Sequence, residues 1–406
     1  MSKRITVIGG GAAGMMAAIT AAEQGAQVTL LEPNERLGKK LNITGKGRCN
    51  VTNNCTEEAL LQNIPRNGKF LYSAFSTFNS QDVMAFFEEL GVPLKTERGN
   101  RVFPVSDRAA DVIDALFFHM KKLNIPVTQA RASQICLEEG RVSGVETDCG
   151  FFPCRAAVLA TGGCSYPATG STGDGYTFAR QCGHTIVPIR PALVPLVCDN
   201  NFIPELQGLS LRNVEIRVTQ GNKEVYTDFG EMLFTHYGVS GPVVLSASSH
   251  LTQPERGVYN LHIDLKPALA FDVLDRRVQR DFSALQNKDL INALGGLLPR
   301  KLIPVFVRRS GLEPGKKVNQ ISREERHALV RLMKDFTVHI TDFRPVEEAI
   351  VTAGGVDVRQ VSPKTMGSKL VENLYFAGEV LDVDGYTGGF NLQIAFSTGT
   401  LCGQNL

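Results

Sequence analysis

The sequence predicts an α/β protein whose three-layer core domain is interrupted by an inserted module. Near the start of the chain, a short apolar strand runs into a glycine-rich turn and a helix. A second strand–glycine–helix unit stands near the end, between residues 373 and 400. The segment from about residue 189 to residue 343 instead alternates apolar and polar residues and then becomes strongly basic, which indicates a separate module.

Composition sets the broad class of the protein. The chain has 406 residues, of which 43% are hydrophobic and 21% charged, so it is long enough for two or three globular domains. It contains no apolar run of about 18 residues, so no membrane span is expected. Nine scattered cysteines without a CxxC pair predict reduced thiols, a cytoplasmic location and no metal site of the zinc-ribbon type.

The first 32 residues have the order strand, glycine turn, helix, strand, acid. We expect strands over Arg4 to Ile8 and Gln27 to Leu31, a helix over Met15 to Gln24, and an acidic strand end at Glu32. Between the first strand and the helix lies "GGGAAG", with its glycines in GxGxxG spacing. A GxGxxG alone is a weak signal, but this complete context is typical of a Rossmann-like dinucleotide site.

Each part of this motif has a physical task. Gly9 permits the tight turn, Gly11 lets backbone approach a pyrophosphate, and Gly14 allows close packing of helix on strand. The helix N-terminus presents free amides to phosphate, and Glu32 can accept hydrogen bonds from ribose hydroxyls. The residues predicted to bind the nucleotide here are Gly9, Gly11, Ala12, Ala13, Gly14 and Glu32.

Later segments favour FAD over NAD as the bound dinucleotide. A buried strand over Ala157 to Ala160 ends in a glycine turn, and "STGDGYTFARQCGH" opens another helix. A strand over Leu374 to Ala377 and the segment "GYTGGFNLQIAFSTG" resemble the second half of an FAD site. No second GxGxxG has a strand before it and an acid after it, so NADPH or NADH would dock only transiently as electron donor. The additional cofactor-binding residues predicted are Thr161, Gly162, Gly378, Glu379, Gly388, Gly389, Asn391 and Leu392.

The whole chain resembles the BaiN/RdsA family of FAD-dependent oxidoreductases, which includes aminoacetone-oxidase-like flavoproteins. The resemblance rests on "VIGGGAAGMMAA", "NERLGKKLNITGKGRCNVTNN", "LATGGCSYPATGSTGDGY", "GEMLFTHYGVSGP" and "YFAGEVLDVDGYTGGFNLQIA". It implies an FAD domain with an inserted module, and it places the glycine–arginine–cysteine–asparagine loop near the flavin ring. Lys40, Gly47 and Arg48 are accordingly expected at the cofactor.

The two cysteines of "TGKGRCNVTNNC" raise the alternative of a redox disulfide. Cys49 and Cys55 are separated by five residues, whereas the disulfide reductases use four and also carry a C-terminal histidine. The last histidine here is His339, so a disulfide is not favoured. Cys49 is instead a candidate proton donor to a substrate carbon, with simple packing an equal alternative. Arg48 can anchor an anionic group or stabilise reduced flavin.

The sequence of the inserted segment, from about residue 189 to residue 343, predicts two modules. Alternating runs between residues 209 and 265, with a return to strand near residue 335, predict a small antiparallel barrel. Residues 266–334 read as helical and hold fifteen basic against seven acidic residues, a charge of +8 that leaves −6 elsewhere. This excess of positive charge favours binding to the phosphate backbone of a nucleic acid. A helical surface exposed to solvent is the common alternative. The cations predicted to contact rRNA are Arg276, Arg277, Arg280, Arg300, Lys301, Arg308, Arg309, Lys316 and Lys317.

We therefore expect an FAD domain over 1–188 and 345–406, a barrel over 189–265 and 335–344, and a helical basic insert over 266–334. His236, in a loop of the insert, is a further candidate proton donor. The resemblance implies NAD(P)H-driven reduction of an activated C=C bond, and the basic insert favours a uridine of large-subunit rRNA. The alternatives are reduction of a 3-oxo-dienoic bile acid, oxidation of a small amine such as aminoacetone by O₂, and a flavin-bearing RNA-binding protein without turnover.

Overall fold

The computed structural model describes residues 3–406. Residues 1 and 2, which the first predicted domain includes, lie outside the described residues. The chain forms two compact units, one of Met1–Ala192 with Pro345–Leu406 and one of Leu193–Arg344. The expected boundary between residues 188 and 189 falls inside a strand, Ile186–Ala192, that stays with the first unit because it pairs with Val351–Val356.

The described residues form nineteen strands, thirteen in the first unit and six in the second. In chain order they are β1 Arg4–Ile8, β2 Gln27–Glu32, β3 Thr52–Asn53, β4 Leu94–Glu97, β5 Arg101–Pro104, β6 Val127–Gln129, β7 Ala132–Glu138, β8 Arg141–Thr147, β9 Gly150–Pro153, β10 Ala156–Leu159, β11 Ile186–Ala192, β12 Leu196–Cys198, β13 Ser210–Gln220, β14 Lys223–Phe234, β15 Gly238–Ser240, β16 Tyr259–Asp264, β17 Phe336–Phe343, β18 Val351–Val356 and β19 Leu374–Phe376.

The helices lie mainly in the first unit and in the basic part of the insert. They are α1 Ala12–Glu23, α2 Lys39–Ile43, α3 Glu57–Gln62, α4 Tyr72–Thr77, α5 Ser80–Glu89, α6 Ala109–Lys122, α7 Asp174–Gln181, α8 Pro242–Ser248, α9 Phe271–Ala284, α10 Leu290–Ala293, α11 Ile303–Ser310, α12 Arg323–Lys334 and α13 Phe390–Gln404.

A parallel five-stranded sheet of order β19-β10-β1-β2-β6 forms the centre of the first unit. Its strands are buried runs such as the "AAVL" of β10, in which all four residues are buried, as expected for a sheet covered on both faces. Helix α1 packs against α13 and α6, whereas β8, in the antiparallel sheet β7-β8-β9, packs against β10. These are the three predicted layers, and the α/β fold class is confirmed.

The second unit contains a closed barrel of order β12-β15-β14-β13-β16-β17. Buried and partly buried residues alternate along β16, the period-2 pattern that indicated strands in the sequence. Two sequence runs that meet at Gly230 form one long strand, β14, and a Cβ at Gly230 would lie 2.7 Å from Val243 of α8. Helices α9 to α12 share the apolar core of the barrel.

None of the helices described between residues 3 and 406 has the length and apolar character needed to cross a membrane.

Candidate active site

A cleft in the first unit opens at the carboxyl ends of four neighbouring parallel strands. Gly9 follows β1, Glu32 ends β2, Thr161 follows β10 and Gly378 follows β19. Strand β1 has β2 on one side and β10 on the other, so the cleft lies at the point where the order of the strands reverses. The predicted residues that line it are Gly9, Gly11, Ala12, Ala13, Glu32, Lys40, Thr161, Gly162, Gly378, Glu379, Asn391 and Leu392.

The three motif glycines have different surroundings. Gly9 has φ +109°, and a Cβ there would lie 2.5 Å from the carbonyl oxygen of Ala160. A Cβ at Gly14 would lie only 1.9 Å from the carbonyl oxygen of Gly9, so this glycine lets α1 pack on β1. A Cβ at Gly11 would meet no atom within 4 Å. Gly11 therefore leaves open space at the N-terminus of α1, where a phosphate can approach the backbone.

Glu32 is 8% exposed and is hydrogen-bonded to the glycine turn. The Gly10 amide donates to its Oε2 at 2.8 Å, and the Asn34 amide and Nδ2 donate to its Oε1 at 2.9 and 2.6 Å. Because each carboxylate oxygen can accept more than one hydrogen bond, these contacts orient Glu32 and still leave acceptor capacity for ribose hydroxyls.

Lys40 and Glu379 join the two chain segments that border the cleft. Lys40 Nζ lies 2.6 Å from Glu379 Oε2 and donates to Ser165 Oγ at 2.7 Å. The Thr352 amide donates to the other carboxylate oxygen of Glu379 at 2.8 Å. This network holds the first turn of α2 against the glycine–acid turn after β19.

The donors of this cleft fit a dinucleotide such as FAD. The hydroxyl oxygen of Thr161 is buried, has no hydrogen-bond partner within residues 3–406, and belongs to a residue that lines the cleft. A buried hydroxyl without a partner is unfavourable, so a polar ligand atom is its natural complement. The first turn of α1 begins at Gly11 without a side-chain cap, and its amides are available to phosphate.

Several lining residues were not identified from the sequence. Asn34 donates through Nδ2 to the carbonyl oxygen of Thr169 at 3.2 Å, and Arg131 pairs with Asp174 at 2.8 Å. These partners are far apart in the chain, so only the folded arrangement reveals them. For Asp174 a signal existed, because it lies in the glycine turn "STGDGY".

Other predicted cofactor residues do not line the cleft. Gly14 packs behind it, and Gly47 and Gly388 lie in adjacent loops. Gly389, the N-cap of α13, has φ +103°, and a Cβ there would lie 2.3 Å from the carbonyl oxygen of Thr52. Gly389 therefore permits α13 to begin directly against β3.

Arg48 is held within the first unit by two acids and an aromatic ring. Its Nη2 lies 2.5 Å from Glu97 Oε1 and 2.6 Å from Asp107 Oδ1, and its Cζ lies 4.1 Å from the centre of the Phe103 ring. The hydrogen bonds to Glu97 and Asp107 raise the pKa of Arg48. Arg48 does not line the cleft, so these contacts favour a role in holding its loop over the expected role of anion anchor.

Cys49 is fully buried at φ +59° in the same loop. Its amide donates to the carbonyl oxygen of Thr44 at 3.0 Å, and Thr44 itself lines the cleft. Burial raises the pKa of the Cys49 thiol to about 12, so the thiol keeps its proton at neutral pH. All nine cysteines, Cys49 and Cys55 among them, lie within residues 3–406 and are free thiols.

His236 belongs to the second unit, in the exposed connection between β14 and β15. Its ring lies edge-to-face with that of Tyr237, with the centroids 4.8 Å apart. Nothing in these contacts assigns it a chemical role, and its proposed function as proton donor stays a prediction. Residues 3–406 hold no group of three or more histidine, cysteine or acidic side chains arranged to bind a metal ion.

Most predicted RNA-contacting cations of the insert have partners within the protein. Arg308 pairs with Glu205 at 2.6 Å, Lys316 with Glu325 at 2.6 Å, and Lys317 with Asp289 at 2.7 Å. The remaining contacts are Arg276 to Asp272 O at 3.3 Å, Arg277 to Gly296 O at 3.2 Å, Arg280 to Asp281 at 3.5 Å and Lys301 to Gln207 O. Arg300 is exposed and makes no ion pair with the described residues.

Arg309 differs from the other predicted RNA contacts because it is packed between aromatic rings. Its guanidinium lies 4.4 Å from the ring centre of Phe336 and 4.9 Å from that of Phe202, and it donates to Thr337 O at 2.7 Å. Burial lowers the pKa of Arg309. These contacts correct the expectation for Arg309, which stabilises the second unit instead of presenting a free charge.

We expect Arg309→Met to lower the free energy of unfolding by about 2 kcal/mol, through loss of two cation–ring contacts and one charged hydrogen bond. The matched change Arg300→Met should alter it by less than about 0.5 kcal/mol because that side chain is exposed. Urea titrations followed by circular dichroism measure both. Equal effects of the two substitutions would contradict a stabilising role for Arg309.

Comparison with known proteins agrees with this architecture. Residues 3–405 match the family model described as HI0933-like protein Rossmann domain. The chain is 32% identical to a 3-dehydro-bile acid delta(4,6)-reductase of Clostridium scindens, covering 99% of this chain and 98% of that protein. It is also 32% identical to the ribosomal RNA dihydrouridine synthase of Escherichia coli, covering 98% of this chain and 97% of the relative.

A solved structure shows the same fold at lower identity. The 3-ketosteroid-delta4-(5alpha)-dehydrogenase of Rhodococcus jostii superposes with a TM-score of 0.54 at 15% identity, covering 99% of this chain and 96% of the dehydrogenase. Together with the match over nearly the whole length, these findings show that the chain belongs to the HI0933-like Rossmann family of FAD-dependent oxidoreductases of the BaiN/RdsA type.

Proposed function

We propose that the protein reduces an activated C=C bond, with a uridine of large-subunit rRNA as its preferred substrate and NADPH or NADH as a transient electron donor. The observation that carries this proposal is similarity along nearly the whole chain to two relatives whose names denote this chemistry. One is named as a bile-acid reductase and the other as a dihydrouridine synthase. An rRNA substrate also places the protein in the cytoplasm, as the reduced cysteines predict.

The residues of the cleft have distinct tasks in this proposal. The amides at the start of α1 bind the pyrophosphate, and the Glu32 carboxylate accepts hydrogen bonds from the ribose hydroxyls. Lys40 and Glu379, joined at 2.6 Å, also line the cleft. FAD, when bound and reduced, supplies the hydride for the C=C bond. The protein then has to deliver one proton to the neighbouring carbon.

We propose Cys49 as the donor of that proton, because its amide is hydrogen-bonded to Thr44, which lines the cleft, and burial keeps its thiol protonated by raising its pKa to about 12. Cys49 itself is fully buried and does not line the cleft, so the thiol has to reach the substrate across the loop of Thr44. Cys49→Ala should slow product formation by about 100-fold, the usual contribution of a general acid, without changing the rate of flavin reduction by NAD(P)H. In the wild type, ionisation of this thiol should cause no loss of rate between pH 6 and pH 9. Stopped-flow absorbance measures the two half-reactions separately.

Cys55→Ala is the matched control, since Cys55 is only partly buried in the same segment. It should leave both half-reactions unchanged. Thermal unfolding of each variant shows whether a slow rate reflects lost structure. If Cys49→Ala forms product at the wild-type rate, the proton comes from another group.

The test of the proposed substrate is the dihydrouridine content of large-subunit rRNA in cells with and without the gene. We expect one modified site to disappear on deletion and to return with the wild-type gene. A profile that does not change would exclude this RNA as substrate.

The second candidate is a 3-oxo-dienoic steroid, favoured by the similarity to the bile-acid reductase. Such a substrate would oxidise the reduced enzyme at a rate that depends little on salt, whereas RNA binding weakens steeply as salt rises. Peroxide release with aminoacetone and no turnover of either alkene would favour the amine oxidase instead. Salt-dependent RNA binding without any flavin reduction would indicate a non-catalytic protein.

A further inference from the structure

The exposed cations of the first unit suggest where the proposed RNA substrate docks. Lys46, Arg98 and Arg101 are exposed, and none forms an ion pair with the residues that the structure describes, although Arg101 Nε donates to the carbonyl oxygen of Arg98 at 3.0 Å. In the insert, by contrast, Arg308, Lys316 and Lys317 are each paired with an acid. Unpaired cations bind phosphate more readily because no internal partner has to be released.

These cations lie on two segments that meet at one aromatic ring. Arg101 begins β5, and its guanidinium lies 5.9 Å from the centre of the Phe103 ring. Arg48 covers the same ring at 4.1 Å, and a Cβ at Gly45 would lie 3.3 Å from it. The loop that carries Lys46 therefore packs against the hairpin that carries Arg101.

The nearby acids do not cancel this charge. Glu97 and Asp107 are both bound by Arg48, and Lys95 adds a further ion pair to Asp107 at 2.8 Å. The hydrogen bonds with these cations lower the pKa of both carboxyl groups, so they stay ionised at neutral pH. Two acids are thus neutralised by two cations, and the exposed charges remain in excess.

The backbone at Lys46 is held in an unusual conformation. Lys46 has φ +61° between Gly45 and Gly47, which also have positive φ, and Cys49 follows at φ +59°. Residues other than glycine rarely adopt a positive φ, and backbone strain of this kind concentrates at functional sites. The ion pairs of Arg48 provide the contacts that hold the loop in this form.

The basic hairpin is also joined to the cleft. Asn53 donates through Nδ2 to the carbonyl oxygens of Gly99 and Gly388, at 3.0 Å each. Gly99 lies in the β4–β5 turn, and Gly388 directly precedes the N-cap of α13. Thr44, at the start of the strained loop, lines the cleft itself. The hairpin and the loop of Lys46 therefore lie beside residues that border the cleft.

We propose that Lys46, Arg98 and Arg101 form an RNA-docking surface beside the cleft, with Arg48 as the residue that positions its loop. This inference rests on the proposed RNA substrate. On this surface, exposed cations contact the phosphate backbone of the RNA, and no group contacts the bases specifically. It assigns docking to the nucleotide-binding unit, whereas the sequence alone pointed to the basic insert.

The test compares Arg98→Glu/Arg101→Glu with Lys288→Glu/Arg300→Glu, which reverses two exposed cations of the insert that make no ion pair with the described residues. The probe is a fluorescent twelve-residue oligouridylate, and its Kd is measured by anisotropy at several salt concentrations on protein loaded with FAD. Loss of two phosphate contacts should lower the slope of log Kd against log salt by about 1.4 in the hairpin variant. Its Kd at 0.1 M salt should rise at least tenfold.

The insert variant should keep the wild-type slope, and both variants should keep the wild-type FAD content. The reverse pattern, with only the insert variant affected, would overturn the hairpin surface and leave the RNA substrate intact. If the wild type itself shows no salt-dependent binding, and its rRNA profile is unchanged on deletion, then the proposed function and this surface both fail. Arg48→Lys gives a further check, because it keeps one charge but loses the forked contact with Glu97 and Asp107. It should raise the Kd less than the hairpin variant does.

Discussion

Gly11→Ala is expected to weaken FAD binding strongly while leaving the fold of the protein without cofactor intact. A Cβ at Gly11 meets no atom within 4 Å, and its backbone, at φ −82° and ψ −173°, is one that alanine adopts freely. The stability of the cofactor-free protein should therefore change by no more than about 1 kcal/mol. The added methyl group would stand where the phosphate approaches the helix amides, so FAD affinity should fall by at least about 100-fold, the worth of roughly 3 kcal/mol.

Gly14→Ala is the matched control because its methyl group would meet protein instead of ligand. The Cβ would lie 1.9 Å from the carbonyl oxygen of Gly9, so helix α1 would have to move away from β1. We expect a loss of about 3 kcal/mol in stability even without FAD. The sequence contains no tryptophan, so circular dichroism is the suitable probe of unfolding, and flavin absorbance after gel filtration gives the bound FAD. Full FAD content in Gly11→Ala would contradict the assignment of this glycine to the pyrophosphate.

The glycine motif could be predicted because its physics is local. Strand β1 is Arg4–Ile8, as the sequence indicated, and Glu32 ends β2 as expected. The helix begins earlier than expected, at Ala12 instead of Met15, because Gly11 serves as its N-cap. In this way Ala12 and Ala13 enter the first turn, where their amides can face a phosphate.

The environment of Arg48 could not be predicted because it is set by distant residues. The two acids that bind it, Glu97 and Asp107, are 49 and 59 positions away in the chain. A sequence pattern shows that an arginine lies in a glycine loop, but not whether its charge is already paired. The same reason explains why the charge of +8 in residues 266–334 overstated the free positive surface of the insert.

The strands of the barrel can be predicted from the sequence, but its closure cannot, because closure depends on residues far apart in the chain. Alternation along single strands indicates which face is buried, and that pattern is local. Closure is not local, since it requires Leu196 of β12 to pair with Phe343 of β17 on one side and Val239 of β15 on the other. Only the observed register shows that these edges meet.

A buried carboxylate next to the cleft, paired with the partly exposed Arg66, leads to the second large expected effect. Asp384 is 1% exposed, and Arg66 Nε lies 3.2 Å from its Oδ1. Its other oxygen, Oδ2, has no hydrogen-bond partner within the described residues. Burial raises the pKa of Asp384, and the nearby Glu379 adds to this, whereas Arg66 opposes it. The neighbouring Asp382 is also buried and accepts from Asn67 Nδ2 at 3.0 Å.

Arg66→Met should lower the free energy of unfolding by about 3 kcal/mol at pH 8, because it leaves a buried carboxylate without its cation. The pKa of Asp384 in the folded protein is already above its ordinary value of 3.8, and loss of Arg66 raises it further. The folded variant then binds a proton more strongly than the unfolded chain does, so acid stabilises it. The part of the deficit due to Asp384 is complete above its folded pKa in the variant, shrinks as pH falls through that value, and disappears below its folded pKa in the wild type. Urea titrations of both proteins at several pH values measure this difference directly.

Arg66→Met/Asp384→Asn is the control that separates charge from packing. The amide has the shape of the carboxylate but no charge, so the double variant should regain much of the lost stability and lose the extra pH dependence. A deficit in Arg66→Met that is equal at pH 5 and pH 8 would show that Asp384 is not the group responsible. Val383, between the two buried acids, lines the cleft, and the same loop leads to the N-terminus of α13. The unpaired charge should loosen this loop, so Arg66→Met should also bind FAD more weakly than the wild type. The double variant Arg66→Met/Asp384→Asn should regain FAD affinity together with stability.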